Sequence, residues 1–165
     1  MHFAVDHDFL ASCAKVADVW CSPAFHAQLD LPDLSQPDVV AHSVDGTTRS
    51  LRLRYEYIGQ LDPIARKIVG GRRLTWIQEL RLDTATYTGT LSFSAEEDAH
   101  RLHGTAAVAI FPIKGSGHTR RRIDGDLHVN VPLVGGTLER RLAPGVLRRL
   151  DVEAVAVSEE LTVHR

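Results

Sequence analysis

The sequence predicts an α+β fold: a curved antiparallel sheet wrapped around a long C-terminal helix, with two short helices after the first strand. Three observations predict it. In "SLRLRYEYI", Leu51, Leu53, Tyr55 and Tyr57 alternate with Arg52, Arg54 and Glu56, the period of a strand buried on one face. From Leu138 the period changes. Leu142, Val146, Leu150, Ala154, Val157 and Leu161 recur every three or four residues, one stripe of an amphipathic helix. Between the two patterns, "VNVPLVGGTLERRL" passes from alternation through Pro132 and the Gly135-Gly136 pair straight into the helix.

The elements follow in order. Phe3, Val5 and His7 alternate with Ala4, Asp6 and Asp8 as a first strand. Ser12 caps a helix carrying Val16, Val19 and Trp20, and Ser22-Pro23 opens a second, shorter one. The turn-rich "LPDLSQPD" ends it, and a strand over residues 39–45 leads into a turn at Asp45-Gly46. After the Leu51 strand, one face holds Leu74, Trp76, Gln78, Leu80 and Leu82, and the next holds Tyr87, Gly89, Leu91 and Phe93. "GTAAVAIFPI" is apolar on both faces, so its outer face is expected to be covered, and Pro112 marks a bulge, an edge or the strand's end. The last strand alternates Ile123, Leu127, Val129 and Val131 with Arg122, Asp124, Asp126, His128 and Asn130. Thr137 is then placed to cap the long helix, and Pro144-Gly145 to kink it without shifting its stripe. An antiparallel sheet with one apolar face must bury that face, and the long helix is its cover.

Composition bounds the rest. A chain of 165 residues reads as a single domain over residues 1–165, and its net charge of -2 argues against a dedicated nucleic-acid binder. Charge is uneven: Lys15 alone offsets seven aspartates in residues 1–47, while most arginines come later. This reads as an uneven solvated surface or as a basic face for anionic partners. Cys13 and Cys21 are expected reduced in a cytoplasmic protein, and "MHFAVDHDF" does not read as a signal peptide. No run is long enough to span a membrane, so stable insertion is not expected, although peripheral contact is open.

Taken together, "PIARKIVGGRRLTWIQE", "YTGTLSF" and "VNVPLVGGTLERRL" resemble a predominantly actinobacterial family of unknown function. That family is similar to the helix-grip, START and polyketide-cyclase-like (SRPBCC) superfamily. The chain departs from its expected pattern at Pro144-Gly145, where an uninterrupted helix is anticipated. The resemblance implies a cavity between sheet and helix that holds a lipid, sterol or polyketide, in carriers, cyclases and sensors alike; fold alone does not choose among them.

Strand alternation nominates the cavity lining: His7, Tyr55, Tyr57, Trp76, Gln78 and Tyr87 from the sheet, and Leu142, Val146 and Leu150 from the helix. "DPIARKIVGGRR" reads as a short helix capped by Asp62, with Ile64, Ile68 and Val69 as a candidate lid and Arg66, Lys67, Arg72 and Arg73 beside it. "EEDAHRLH" reads as a solvated turn rather than a metal site, and "KGSGHTRRR" as a charged hairpin tip with Lys114 and residues 120–122 as a basic knob. Arg140-Arg141 and Arg148-Arg149 read as the wet flank of the helix. No metal and no cofactor is expected. The favoured reading is a binder or carrier of a hydrophobic small molecule. A cyclase using an inward His7, Tyr55 or Tyr57 as acid or base is one alternative. An interaction module with a self-filled cavity, docking through residues 106–113, is the other. Oligomeric state is left open.

Overall fold

The computed structural model describes residues 1–163, the side chain of Ile68 excepted. Its elements are β1 (His2–Phe9), α1 (Cys13–Trp20), α2 (Pro23–Ala27), β2 (Asp38–Asp45), β3 (Thr48–Glu56), α3 (Pro63–Val69), β4 (Thr75–Asp83), β5 (Thr88–Ala95), β6 (Leu102–Pro112), β7 (Thr119–Val129) and α4 (Gly135–Val163). Strands β2 to β7 form a meander, and β1 pairs antiparallel with β7, giving the order β1-β7-β6-β5-β4-β3-β2. Helices α1 and α2 carry the chain from one edge of this sheet to the other.

Local chemistry sets the boundaries. The Ser12 hydroxyl accepts from the Lys15 amide and Ser22 from the Phe25 amide, so both early helices begin on side-chain caps. Asp62 accepts from the Ile64 and Ala65 amides, and Gly70 ends α3 in the left-handed conformation at φ 63°. The start of α4 differs from expectation. It begins at Gly135, two residues before Thr137, because the Gly135 and Leu138 amides already bond to the Val131 and Val134 carbonyls. A Cβ on Gly135 would collide with the Val129 carbonyl oxygen, so this residue permits the sharp strand-to-helix reversal. Glu139 fastens the first turns to the sheet by accepting from the Val129 amide at 2.9 Å.

Helix α4 is assigned without a break through Pro144. Its stripe keeps phase, with Leu138, Leu150, Ala154, Val157 and Leu161 buried and Leu142 and Val146 half-buried. These side chains cover the inward face of the sheet, where Leu80, Leu82, Leu91, Val108, Ile123 and Leu127 pack with Val16 and Trp20 of α1. Each such burial contributes roughly 1.5–3 kcal/mol.

Two expectations change. The outer face of β6 is not covered within the described chain: Ala107 and Phe111 are exposed, and only the Arg122 guanidinium lies over the Phe111 ring, at 5.9 Å. The charge asymmetry of the sequence is also offset in part by pairing in space. Pairing of β1 with β7 sets Asp6 against Arg122 and Asp8 against Arg120, each at 2.7 Å, and Asp18 meets Arg49 at 2.6 Å. Asp38 also lies 3.8 Å from Arg54, so four of the seven N-terminal aspartates meet later arginines.

Candidate functional site

Where α4 passes over strands β4 to β7, a cavity of about 330 Å³ remains between them. Its floor is apolar, made by Trp76 of β4, Phe93 of β5, Leu102 of β6 and Leu127 of β7. Leu142, Gly145 and Val146 of α4 form the roof. The segment around α3 closes one side through Leu61, Asp62 and Ala65, and Pro32, Asp33, Leu34 and Tyr57 close another. A second cavity of about 210 Å³ lies beyond α3 and shares Leu61, Ala65, Leu102 and Leu142 with the first. Ala65 of α3 borders both spaces, and the Asp62 carboxylate ties this helix to α4 through Arg141 at 3.4 Å.

The polar side of the larger cavity comes from α4. Arg141, Arg148 and Arg149 all line it. Arg140, Arg141 and Arg148 are exposed, as the wet flank of the helix requires, and only Arg149 departs from that reading by being half-buried. Arg149 Nη2 donates to Gln78 Oε1 at 2.7 Å, and its guanidinium lies 5.3 Å from the centroid of the Tyr55 ring. The sequence carried a signal for this. Leu142, Val146, Arg149 and Glu153 are spaced four, three and four residues apart, the same spacing as the apolar stripe beside them.

The nominated residues divide into those the fold brings together and those it does not. Tyr57, Trp76, Leu142 and Val146 line the cavity. Tyr57 does so from just beyond β3, in an isolated bridge with Leu34, and its hydroxyl donates to the Gln60 carbonyl. Burial and the nearby Asp33 push its phenol upward. Tyr55 lies behind Trp76, the two rings stacked with centroids 5.7 Å apart; its buried hydroxyl has no hydrogen-bond partner among the described residues, and burial pushes that phenol up too. Gln78 is buried beneath Arg149, and Leu150 belongs to the core. Tyr87 sits in the β4–β5 turn at φ 54°, outside the strand face assigned to it and outside the lining. Of the candidate lid, Val69 lines the smaller cavity, Ile64 lines neither, and the Ile68 side chain lies outside the described residues.

His7 is engaged elsewhere. It faces inward as the alternation requires, but into a polar cluster between β1, β7, α1 and α4. Arg121 Nη1 donates to Glu153 Oε1 at 2.8 Å, and Trp20 Nε1 donates to the same oxygen at 2.7 Å. Arg121 Nη2 donates to His7 Nδ1 at 3.1 Å, which assigns the proton to His7 Nε2, the donor to Asp151 at 2.9 Å. Arg121 is wholly buried, with its guanidinium over the Trp20 ring at 4.5 Å. It is therefore no part of a surface knob. Its parity shows why: Arg121 shares a strand face with Ile123, Leu127 and Val129.

In the turn between β5 and β6, Glu96 pairs with Arg54, Glu97 with Arg72 and Asp98 with Arg101. Among the described residues, no cluster of three or more histidines, cysteines or acids is arranged to hold a metal ion, and no helix is long and apolar enough to cross a membrane. Both cysteines are free, and burial pushes the Cys21 thiol up to about 11.

This architecture recurs in solved structures. A protein from Thermus thermophilus matches with a TM-score of 0.66 and 14% identity over 99% of both chains. The Zhui aromatase/cyclase from Streptomyces sp. R1128 matches at 0.66 and 16%, over 98% of this chain and 93% of its own. A START superfamily protein from Mycobacterium smegmatis matches at 0.62 and 17%, over 99% of both. Identities this low carry the fold alone: a helix-grip arrangement of the START and polyketide-cyclase-like kind. No curated protein matches the chain by sequence. Residues 4–161 match the family described as protein of unknown function (DUF2505), and the chain belongs to that family.

Proposed function

We propose that this protein is a cytoplasmic binder or carrier of a hydrophobic small molecule, lipid or polyketide-like, held between the sheet and α4. The observation that carries this reading is the cavity itself. About 330 Å³ walled by Trp76, Phe93, Leu127, Leu142 and Val146 lies within the range of small-molecule sites, roughly 300–1,000 Å³. Removing apolar ligand surface from water drives the binding. Helix α3, which borders both cavities through Ala65, serves as the lid. Carriage is favoured over turnover because two of the three acid–base candidates, His7 and Tyr55, stand outside the lining. The free Cys13 and Cys21 suit the reducing cytoplasm.

A neutral fluorescent probe tests the reading. N-phenyl-1-naphthylamine is expected to bind at one per chain with enhanced emission, and Val146→Trp, which fills the roof, is expected to abolish the signal while the fold persists by circular dichroism. Probe binding that survives Val146→Trp, or no binding to the native chain, would remove the cavity from its proposed role.

A further inference from the structure

We propose that the natural ligand is an amphiphilic anion, an apolar body with a carboxylate or phosphate head seated on Arg149. This rests on the cavity reading above and adds the chemical class of the ligand. Arg149 is half-buried on the polar α4 side of the cavity, facing its apolar floor, and is fixed by the Tyr55 ring and by one hydrogen bond to Gln78. A guanidinium carries five donors, so a single bond to Gln78 leaves most of them uncommitted.

No carboxylate is dedicated to it: Glu153, one turn on, feels its charge but bonds elsewhere. Among the described residues, no carboxylate lies within ion-pair distance of Arg149 or of Arg148, its exposed neighbour in the lining. The acids nearby are committed elsewhere. Glu153 accepts from Arg121 and Trp20, and Asp62 caps α3 while pairing with Arg141. Asp33, the remaining acid of the lining, is exposed on the loop after α2. A partly desolvated charge beside an apolar floor is stabilised when an opposite charge completes it. Planar guanidinium donors match a carboxylate or phosphate in bidentate fashion. The apolar floor of Trp76, Phe93 and Leu127 would take the ligand's body while its head meets Arg149, with Arg148 nearer solvent as the second cation.

The test is calorimetric titration with matched probes near pH 7.5: decanoate, decyl phosphate and neutral 1-decanol. The native chain is expected to bind the better anion about tenfold or more tightly than decanol, the worth of one charge-assisted contact. The tighter of the two anions names the head. Arg149→Met is expected to erase the preference for anion over decanol, and Arg149→Lys to restore part of it. Equal affinity for anion and alcohol on the native chain overturns the anionic head and leaves the cavity reading standing. Binding of none of the three overturns both. An anion preference that survives Arg149→Met overturns the assignment to Arg149. The native-chain comparison decides the ligand class even if a variant fails to fold, which circular dichroism monitors.

Discussion

Arg121 of β7 and Glu153 of α4 meet at 2.8 Å, with side chains 0% and 2% exposed. This pair joins the sheet to the helix that roofs the cavity, only four residues beyond Arg149. Burial opposes ionisation of Glu153, but the charges of Arg121 and Arg149 and the Arg121 hydrogen bond outweigh it and hold the carboxyl below its ordinary range. The pair is therefore charged at neutral pH, and its geometry sets the position of α4.

Removing one partner leaves the other buried and uncompensated. Arg121→Met is expected to lower unfolding free energy by about 3–5 kcal/mol, read from urea denaturation. Arg121→Met combined with Glu153→Leu should recover a large share of that loss. It should not recover all of it, because Trp20 Nε1 then loses its acceptor. A double variant no more stable than the single one contradicts this account.

Stability also depends on pH in a definite direction. Burial, helped by Arg121, holds His7 below its ordinary 6.5, and burial does the same to His26. Each imidazole then takes up a proton more readily in the unfolded chain than in the folded one. Their contribution is complete above the unfolded value and declines as pH falls below about 6.5. Protonation of His7 also destroys the acceptor that faces Arg121. A second decline follows in the carboxylate range, where Asp6 and Asp8, held low by hydrogen bonds from Arg122 and Arg120, take up protons. Urea midpoints are expected to be level between about pH 7.5 and 8 and lower near 5.5, with a shallower first decline in His7→Gln. Equal midpoints at pH 8 and 5.5 contradict the assignment.

Gly145 separates the stability of α4 from its ligand function. It lines the cavity, and a Cβ built on it meets no heavy atom within 4 Å. Replacing a helical glycine with a better helix former is worth up to about 1 kcal/mol. Gly145→Leu should therefore raise the melting temperature while the added side chain occupies the cavity and weakens ligand binding. A melting temperature that falls, or affinity that is unchanged, contradicts the placement of this residue.

The sequence disclosed what depends on period and lost what depends on partners. Alternation in β3 and β7 and the stripe of α4 gave the order of elements, because each pattern is local and spelled in consecutive residues. Inward parity placed His7 and Gln78 on the correct face, yet could not say that His7 is taken by Arg121 and Asp151 or that Gln78 lies under Arg149. Those contacts join β1 to β7 and β4 to α4, elements far apart in sequence. Charge misled in two places. Arg121 and Arg149 belong to runs of arginine that read as solvated, although the spacing of each set it beside apolar neighbours. Tyr87 failed for a different reason: its positive φ belongs to a turn, a conformation alternation cannot see.

The central claim is that the space between α4 and the sheet holds an apolar ligand. It is tested most directly by mass spectrometry of the protein as purified, first native and then after denaturation and organic extraction. The account predicts a stoichiometric adduct in the native spectrum, released on unfolding as an amphiphile that ionises in negative mode. A bare-chain native mass, with no compound extracted and none taken up when decanoate and decanol are added back, would contradict it.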